Sequence, residues 1–525
     1  MEVTWIGVLV AIAAMLLMRR SASAMLSLLM LCTLFGGSAA ILLGDAGVTV
    51  VPASFVLLFV VIRLTIAVFV GPVGVIAAIE RNIFLALFVL YGVVGAYVFP
   101  RMFEGQIELA PMRLAYWLGS LQGEPLHPTP QNNTQSIYLV GTLLAAICST
   151  IIVRREQKLD LLVKTLLWCA WIHIGFGILD VVLYGAGAGK ALDVFRNATY
   201  EMTSAEIGSF KRISGVFPEA SSYATYGFAL CTIASELWLR SVRPKVTGPT
   251  ALCLGLMVLA STSSTGIVVM AVYAPLVAIR IFTVQPAALA MRKMTSFGAV
   301  AMFGIAGAMI VMLLNRELAD SVSGVFDAMV FGKAQSESGI QRAFWAKQGI
   351  DAFLFSGGLG VGPGSFRSSS LLTAILGSVG VFGAVCFVLH LWRLWKPLGA
   401  TQGRTDTTSL AIARSFGWGA ALSLLAPVLS SSTPDPGLLF GILGGAAMGV
   451  MVGQPAAAGV APVRTRASGA AAEPRRAFKL SFRAPKRFAE LPAPPTRRVP
   501  EQPAAVRKPA AVRRSPPQRL GRPRT

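Results

Sequence analysis

Long apolar runs recur along most of this chain, and they restrict its fold more than any other feature. A hydrocarbon core of about 30 Å takes about 20 apolar residues of helix to cross. Runs near that length lie at 4–18, 22–43, 53–78, 82–99, 136–153, 159–182, 221–239, 249–260, 266–281, 297–314, 369–392, 408–429 and 437–453. Only 13% of the 525 residues are charged, about half the share of a soluble domain. Inside lipid the backbone must satisfy its own hydrogen bonds, which favours helices for continuous runs. The expected fold is all-α and polytopic, with about thirteen transmembrane helices.

Orientation follows from short loops, because Lys and Arg stay on the cytoplasmic side. Arg19-Arg20, Arg81, Arg154-Arg155 with Lys158, Arg240-Arg243-Lys245, Arg292-Lys293 and Arg393-Lys396-Arg404 occupy alternate loops. This phase places the N-terminus outside and the C-terminus in the cytoplasm, with long external loops near 100–135, 183–220 and 315–368. The first run lacks a basic leader and ends at Arg19-Arg20, so it reads as a span rather than a cleavable signal. The membrane domain covers 1–453, and 454–525 form an Ala/Pro/Arg-rich cytoplasmic tail. That tail carries 17 of the 46 basic residues against Glu473, Glu490 and Glu501, and is expected to be disordered. It either fixes topology or rests on anionic lipid. Without a folded binding module or interleaved aromatics it does not read as a nucleic-acid ligand.

Cys32, Cys148, Cys169, Cys231, Cys253 and Cys386 all sit in apolar runs without metal-ligand spacing, so they read as packing thiols. His173 and His390 lie inside spans and receive no role. An Asn-x-Thr triplet at Asn132 is a chance match outside a eukaryote. The chain shows no internal repeat, which weighs against a secondary transporter built from related halves.

Chemistry is concentrated in polar islands. Arg212-Ile-Ser-Gly-Val-Phe-Pro-Glu219 sets a cation and a carboxylate at the mouth of a span. Gly215 permits a turn, Pro218 suits the first turn of the helix that follows, and the helix dipole favours Glu219 at its start. Glu219 is either a helix-start carboxylate paired with Arg212 or a reactive group facing a surface pocket. Ser214 and Tyr223 lie in the same island as candidate substrate contacts. A second island runs from Glu337 to Ser365, where Arg342, Trp345 and Gly349 follow helical spacing. Phe344, Trp345 and Ala352 suit a face laid on the membrane. The Gly-rich stretch 357–364 is either a close-approach segment or an exposed hinge. A Ser/Thr turn, Ser261 to Gly266, offers Ser263 and Ser264 to sugar or phosphate oxygens, or to interhelical hydrogen bonds. Lys347 and Arg63 are further candidate contacts; Arg63 either snorkels or lines the site, and Asp180 lies near the same surface.

These segments, in this order, resemble the bacterial O-antigen polymerase and O-antigen ligase superfamily. The resemblance rests on Arg212 to Glu219, the turn at 261–266, and Arg342 with Phe344-Trp345 followed by Ser356-Gly-Gly-Leu-Gly-Val-Gly362. It covers roughly 140–450, with the late loop at 315–368 in the place of the family's large periplasmic loop. It implies glycosyl transfer from an undecaprenyl-diphosphate-linked oligosaccharide at the periplasmic face of the inner membrane, without metal or other cofactor. A chain-length regulator is a further implied partner. Arg212 and Arg342 fall where the family has arginines, which bind a diphosphate leaving group bidentately. Family ligases carry a histidine in the late loop, and 315–368 has none. The family's arginine after the Ser-rich turn is also missing, since Thr265-Gly266 follows Ser264. The missing histidine favours a polymerase of surface polysaccharide over a ligase, and leaves Glu219 as first candidate base ahead of Glu337 and Asp351. A flippase of lipid-linked glycan is the non-enzyme alternative.

Overall fold

A computed structural model describes residues 2–43, 48–70, 74–113, 121–198, 206–207, 210–314, 320, 323–324, 335–395 and 407–450. The tail from Gln454 and most of the expected 315–334 segment therefore lie outside the described residues.

The described residues are mostly helical. In chain order the helices are α1 (Trp5–Met18), α2 (Ala22–Cys32), α3 (Pro52–Val70), α4 (Val75–Arg81), α5 (Ile83–Met102), α6 (Pro130–Glu156), α7 (Leu159–Gly185) and α8 (Ala220–Leu239). They continue as α9 (Pro244–Ala260), α10 (Ser264–Val284), α11 (Ala287–Leu314), α12 (Glu337–Phe355), α13 (Leu371–Trp395), α14 (Thr407–Ser423), α15 (Leu425–Ser430) and α16 (Leu438–Gly449). Six stretches among the described residues are long and apolar enough to cross a membrane: α5, α6, α7, α10, α13 and Thr408–Ser430. Shorter apolar helices include α1, α2, α9 and α16.

Two expected runs divide. Helix α2 stops at Cys32, and Ile41–Leu43 becomes β2, paired antiparallel with β1 (Glu2–Val3) and β3 (Val48–Val50). Gly36-Gly37-Ser38 interrupts the helix, and the freed backbone finds other partners. Gly37 N–H donates to the Val216 carbonyl at 3.2 Å, and Ala39 N–H to Asn197 Oδ1 at 2.8 Å. The expected 53–78 run splits into α3 and α4, with Gly71-Pro72 between them in the sequence. Helix α6 starts six residues before the expected 136, because Thr129 and Asn132 close a reciprocal capping box and Pro130 opens the first turn. Asn132, the residue of the Asn-x-Thr triplet, is buried and also donates to the Pro363 carbonyl at 2.8 Å.

The Gly-rich stretch divides: Gly357 and Leu359 are exposed, while Gly360 to Phe366 are buried. Helix α13 breaks at Gly380, whose φ of 59° is costly for any residue with a Cβ. The loop supplies the partners that the break removes. Val381 N–H donates to the Gly358 carbonyl at 2.9 Å, and Val361 and Gly362 N–H donate to Gly377 and Ser378 carbonyls at 2.8 and 3.0 Å. Non-helical backbone inside a membrane protein is tolerated when protein covers it in this way. Helix α12 packs on α13 with Gly349 against Thr373, while Gln348 accepts from Ala110 N–H and Ala352 joins Leu109, Leu126, Val361 and Phe366. Trp345 and Ala352 thus face protein, not the lipid surface expected for them; a bare Gly349 allows the Thr373 backbone to close in.

Candidate functional site

Asp180, near the end of α7, organises the first island. Its carboxylate is 1% exposed and accepts from Ser214 N–H at 2.9 Å, Gly215 N–H at 3.0 Å and the Ser214 hydroxyl at 3.3 Å. Arg196 pairs with the other oxygen at 2.8 Å and also donates through Nε to the Gly215 carbonyl at 2.8 Å. A turn that presents two successive N–H groups to one carboxylate suits glycine, and Gly215 has φ 54°. Ile213, Val216, Phe217 and Tyr223 pack beneath the turn. The loop carrying Arg212 and Glu219 is thereby pinned at both its backbone and its apolar side.

Glu219 is the N-cap of α8, so Pro218 stands before the helix rather than in its first turn. The Glu219 side chain does not bond the helix's N–H groups; it accepts the Ser221 hydroxyl and is exposed. Arg212 and Arg367 both feel its charge, and Arg342 acts on the same two guanidinium groups. Burial pulls Arg212 below the ordinary arginine value, Glu219 acts to raise it and Arg342 lowers it further. Arg367 responds to burial, Glu219 and Arg342 in the same directions. Glu219 and Arg342 each act on both Arg212 and Arg367, so these side chains share one electrostatic neighbourhood. Arg342 donates from Nη1 to the Thr265 hydroxyl at 3.2 Å, and its carbonyl accepts the Ser369 hydroxyl at 2.5 Å. The starts of α8, α10 and α13 therefore gather at one end of the bundle, with α12 joining them through Arg342.

Arg367 follows the Gly-rich loop and stacks over Trp345, with its Cζ 4.3 Å from the ring centroid. Its backbone N–H is held by the Ala110 carbonyl at 2.9 Å. Arg212 Nε, Arg367 Nε, Trp345 Nε1 and Ser263 Oγ are buried without hydrogen-bond partners. Donors left unpaired around a cationic cluster are the arrangement that an anion completes.

The remaining sequence candidates divide. Ser263 stands at the N-cap position of α10 without a side-chain capping bond, beside Ser264 and Thr265, and so borders the cluster. Ser214 is turned to Asp180. Tyr223 is fully buried, stacks on His173 at a centroid distance of 4.0 Å and donates to the His173 carbonyl at 3.3 Å. Lys347 is exposed and pairs with Asp351 at 2.7 Å on the outer face of α12. Glu337 is exposed in the first turn of that helix. Arg63 is half-buried on α3 with an unpartnered Nε, and no interaction among the described residues joins it to the cluster.

Three residues escaped the sequence reading or were undervalued by it. Arg367 stands three residues beyond Gly364, outside the glycine-rich pattern itself. Asp180 was legible as a charge inside an apolar run, but its ligands come from 16 to 35 residues away. Asp435 sits in Ser431-Ser-Thr-Pro-Asp-Pro-Gly437, between the last two apolar helices. It accepts the Thr142 hydroxyl at 2.7 Å, and burial pushes its carboxyl up to about 6. The same turn reaches the second island, where Ser368 N–H donates to the Ser432 carbonyl at 3.2 Å. No protein-family model matches this chain, and no curated protein matches it in sequence.

Proposed function

We propose that this chain is a membrane glycosyltransferase that polymerises a bacterial surface polysaccharide. It would transfer glycan from an undecaprenyl-diphosphate carrier to a hydroxyl of a lipid-linked repeat unit. The observation that carries the reading is the gathering of Arg212, Arg342, Arg367 and Glu219 at one bundle end. Three guanidiniums against one carboxylate leave two positive charges, and a diphosphate diester carries two negative ones. Planar, weakly hydrated guanidinium groups suit bidentate phosphate recognition.

In the reaction the acceptor oxygen forms a bond to the anomeric carbon as the bond from that carbon to the diphosphate oxygen breaks. The departing electron pair stays on the diphosphate, where the arginines neutralise it. The acceptor's proton passes to Glu219, whose exposed carboxylate is free of helix capping. Ser263 and Ser264 would contact the same ligand from the start of α10.

The membrane arrangement in this proposal has about thirteen spans, with the N-terminus periplasmic, the C-terminus cytoplasmic and the cluster at the periplasmic face of the inner membrane. Its support is directional. Helices α8, α10 and α13 all start at the cluster, and the Lys/Arg alternation also assigns these three a common direction. Deleting the gene and analysing lipid-linked glycans tests the assignment. Accumulated single repeats support a polymerase, and accumulated finished polymer on the carrier means a ligase. Repeats trapped on the cytoplasmic face would mean a flippase.

A further inference from the structure

A second cationic site lies at the opposite ends of the same helices. Glu236, one turn before the end of α8, has a side chain 1% exposed. Arg280, near the end of α10, meets it with two bonds, Nε to Oε1 at 2.9 Å and Nη2 to Oε2 at 2.8 Å. Arg240, just past the end of α8, pairs with the same carboxylate. Arg414 on α14 is close enough to oppose the Arg240 charge. It is exposed, and it makes no hydrogen bond or ion pair among the described residues.

Arg240, Arg280 and Arg414 border a cavity of about 530 Å³, walled by Gln285, Trp395 and Trp418 together with apolar side chains of α13 and α14. Arg280 lies flat on Trp418, its Cζ 3.6 Å from the ring centroid, and Trp418 stacks on Trp395 at 5.4 Å and 15°. A volume of this size is ordinary for a small-ligand site.

A purely structural ion cluster would balance its charge. Glu236 can neutralise one guanidinium, so Arg240, Arg280 and Arg414 retain two positive charges toward the cavity. Three cations around one carboxylate leave uncompensated mutual repulsion, which a bound anion would relieve. The stacked tryptophans supply an amphipathic wall of the type found where apolar helices meet a lipid headgroup layer. Guanidinium forks bind phosphate oxygens bidentately, and the excess positive charge favours an anionic headgroup over a zwitterionic one.

We infer that this cavity binds a phosphate group, presented by an anionic lipid headgroup or as the free ion. It is separate from the Arg212 cluster, because α8 and α10 present their starts to one site and their ends to the other. The inference does not depend on the reaction proposed above.

The test uses the full-length protein, extracted in neutral detergent, with Arg414→Gln as the probe variant. Arg414 is exposed and unpaired, so its loss should leave folding intact, whereas Arg280→Gln would strand Glu236. One arm measures binding to nanodiscs or micelles containing phosphatidylglycerol, with phosphatidylcholine as reference. The other titrates inorganic phosphate and reads the thermal transition. The expected result is retention of phosphatidylglycerol over phosphatidylcholine, weakened about five- to tenfold by Arg414→Gln and by raised salt. The same variant-dependent binding confined to inorganic phosphate would assign the free ion. Binding that is equal in wild type and Arg414→Gln in both arms, or no binding in either, overturns the inference.

Discussion

Arg342 on α12 reaches the Thr265 hydroxyl in the first turn of α10 at 3.2 Å, although 77 residues separate them. That contact ties the late island to the Ser/Thr turn. Through the carbonyl of Arg342, which accepts Ser369, it also reaches the start of α13. The candidate site is therefore assembled from segments that meet only when the bundle is packed.

Removing Arg367 should abolish polymer as effectively as removing Arg212 or Arg342. Losing one donor to a developing anion typically costs about 10²–10³ in rate. Arg367→Lys keeps the charge but loses the flat stack over Trp345, so it should recover only part of the activity. Polymer yield from membranes holding equal amounts of each variant measures this, and full activity in Arg367→Ala would remove it from the site.

Glu219→Gln should lower turnover by about 10²–10⁴ while leaving protein in the membrane at the wild-type level. The carboxylate does not bond the N–H groups of α8, so the substitution spares the helix start. Ser221→Ala removes the hydroxyl that Glu219 accepts and should have a smaller effect. Equal polymer from Glu219→Gln and wild type would exclude it as the base.

Asp180→Ala should destabilise the fold rather than the chemistry alone. Removing one partner of a buried pair costs roughly 3–5 kcal/mol, and here two backbone N–H groups lose their acceptor as well. Adding Arg196→Ala should cost much less than its single effect, because the remaining charge would no longer be stranded. Thermal unfolding of the single and double variants in detergent decides the point; strict additivity would contradict it.

Asp435 predicts a pH dependence. Burial raises its folded pKa to about 6, well above the ordinary aspartate value, outweighing the bonds from Thr142 and Gly437 that act to lower it. The folded state then holds a proton that the unfolded chain has released, so stability falls as pH rises from about 4 to about 6. Asp435→Asn removes that loss. Its melting temperature should exceed wild type at pH 7.5, and the gap should close at pH 4. A gap that is the same at both values would rule out this linkage.

Much of the helical framework was readable in advance because apolar length is a local property. The ends of α1, α7, α8 and α10 fall within a few residues of their hydropathy edges. The reading failed where the backbone takes its partners from distant segments. The 22–43 run contains no charge before Gly44-Asp45, yet Gly37 and Ala39 bond to Val216 and Asn197 and the helix ends early. Arg212, Glu219 and Arg342 stood out because charge near a bilayer is expensive. Arg367 did not, since its importance comes from the buried loop before it and from Trp345 beside it.

Sequence alone determined that these segments become apolar helices separated by a few polar islands, because hydrocarbon accepts little else. Which island faces which was decided by packing. Asp180 turned an ordinary Ser-Gly pair into an anchored loop, and the break at Gly380 drew the Gly-rich segment inward to satisfy its backbone. Both steps depend on hydrogen bonds between residues far apart in the chain, which composition and periodicity do not encode. The gathering of Arg212, Arg342, Arg367 and Glu219 at one bundle end is the consequence.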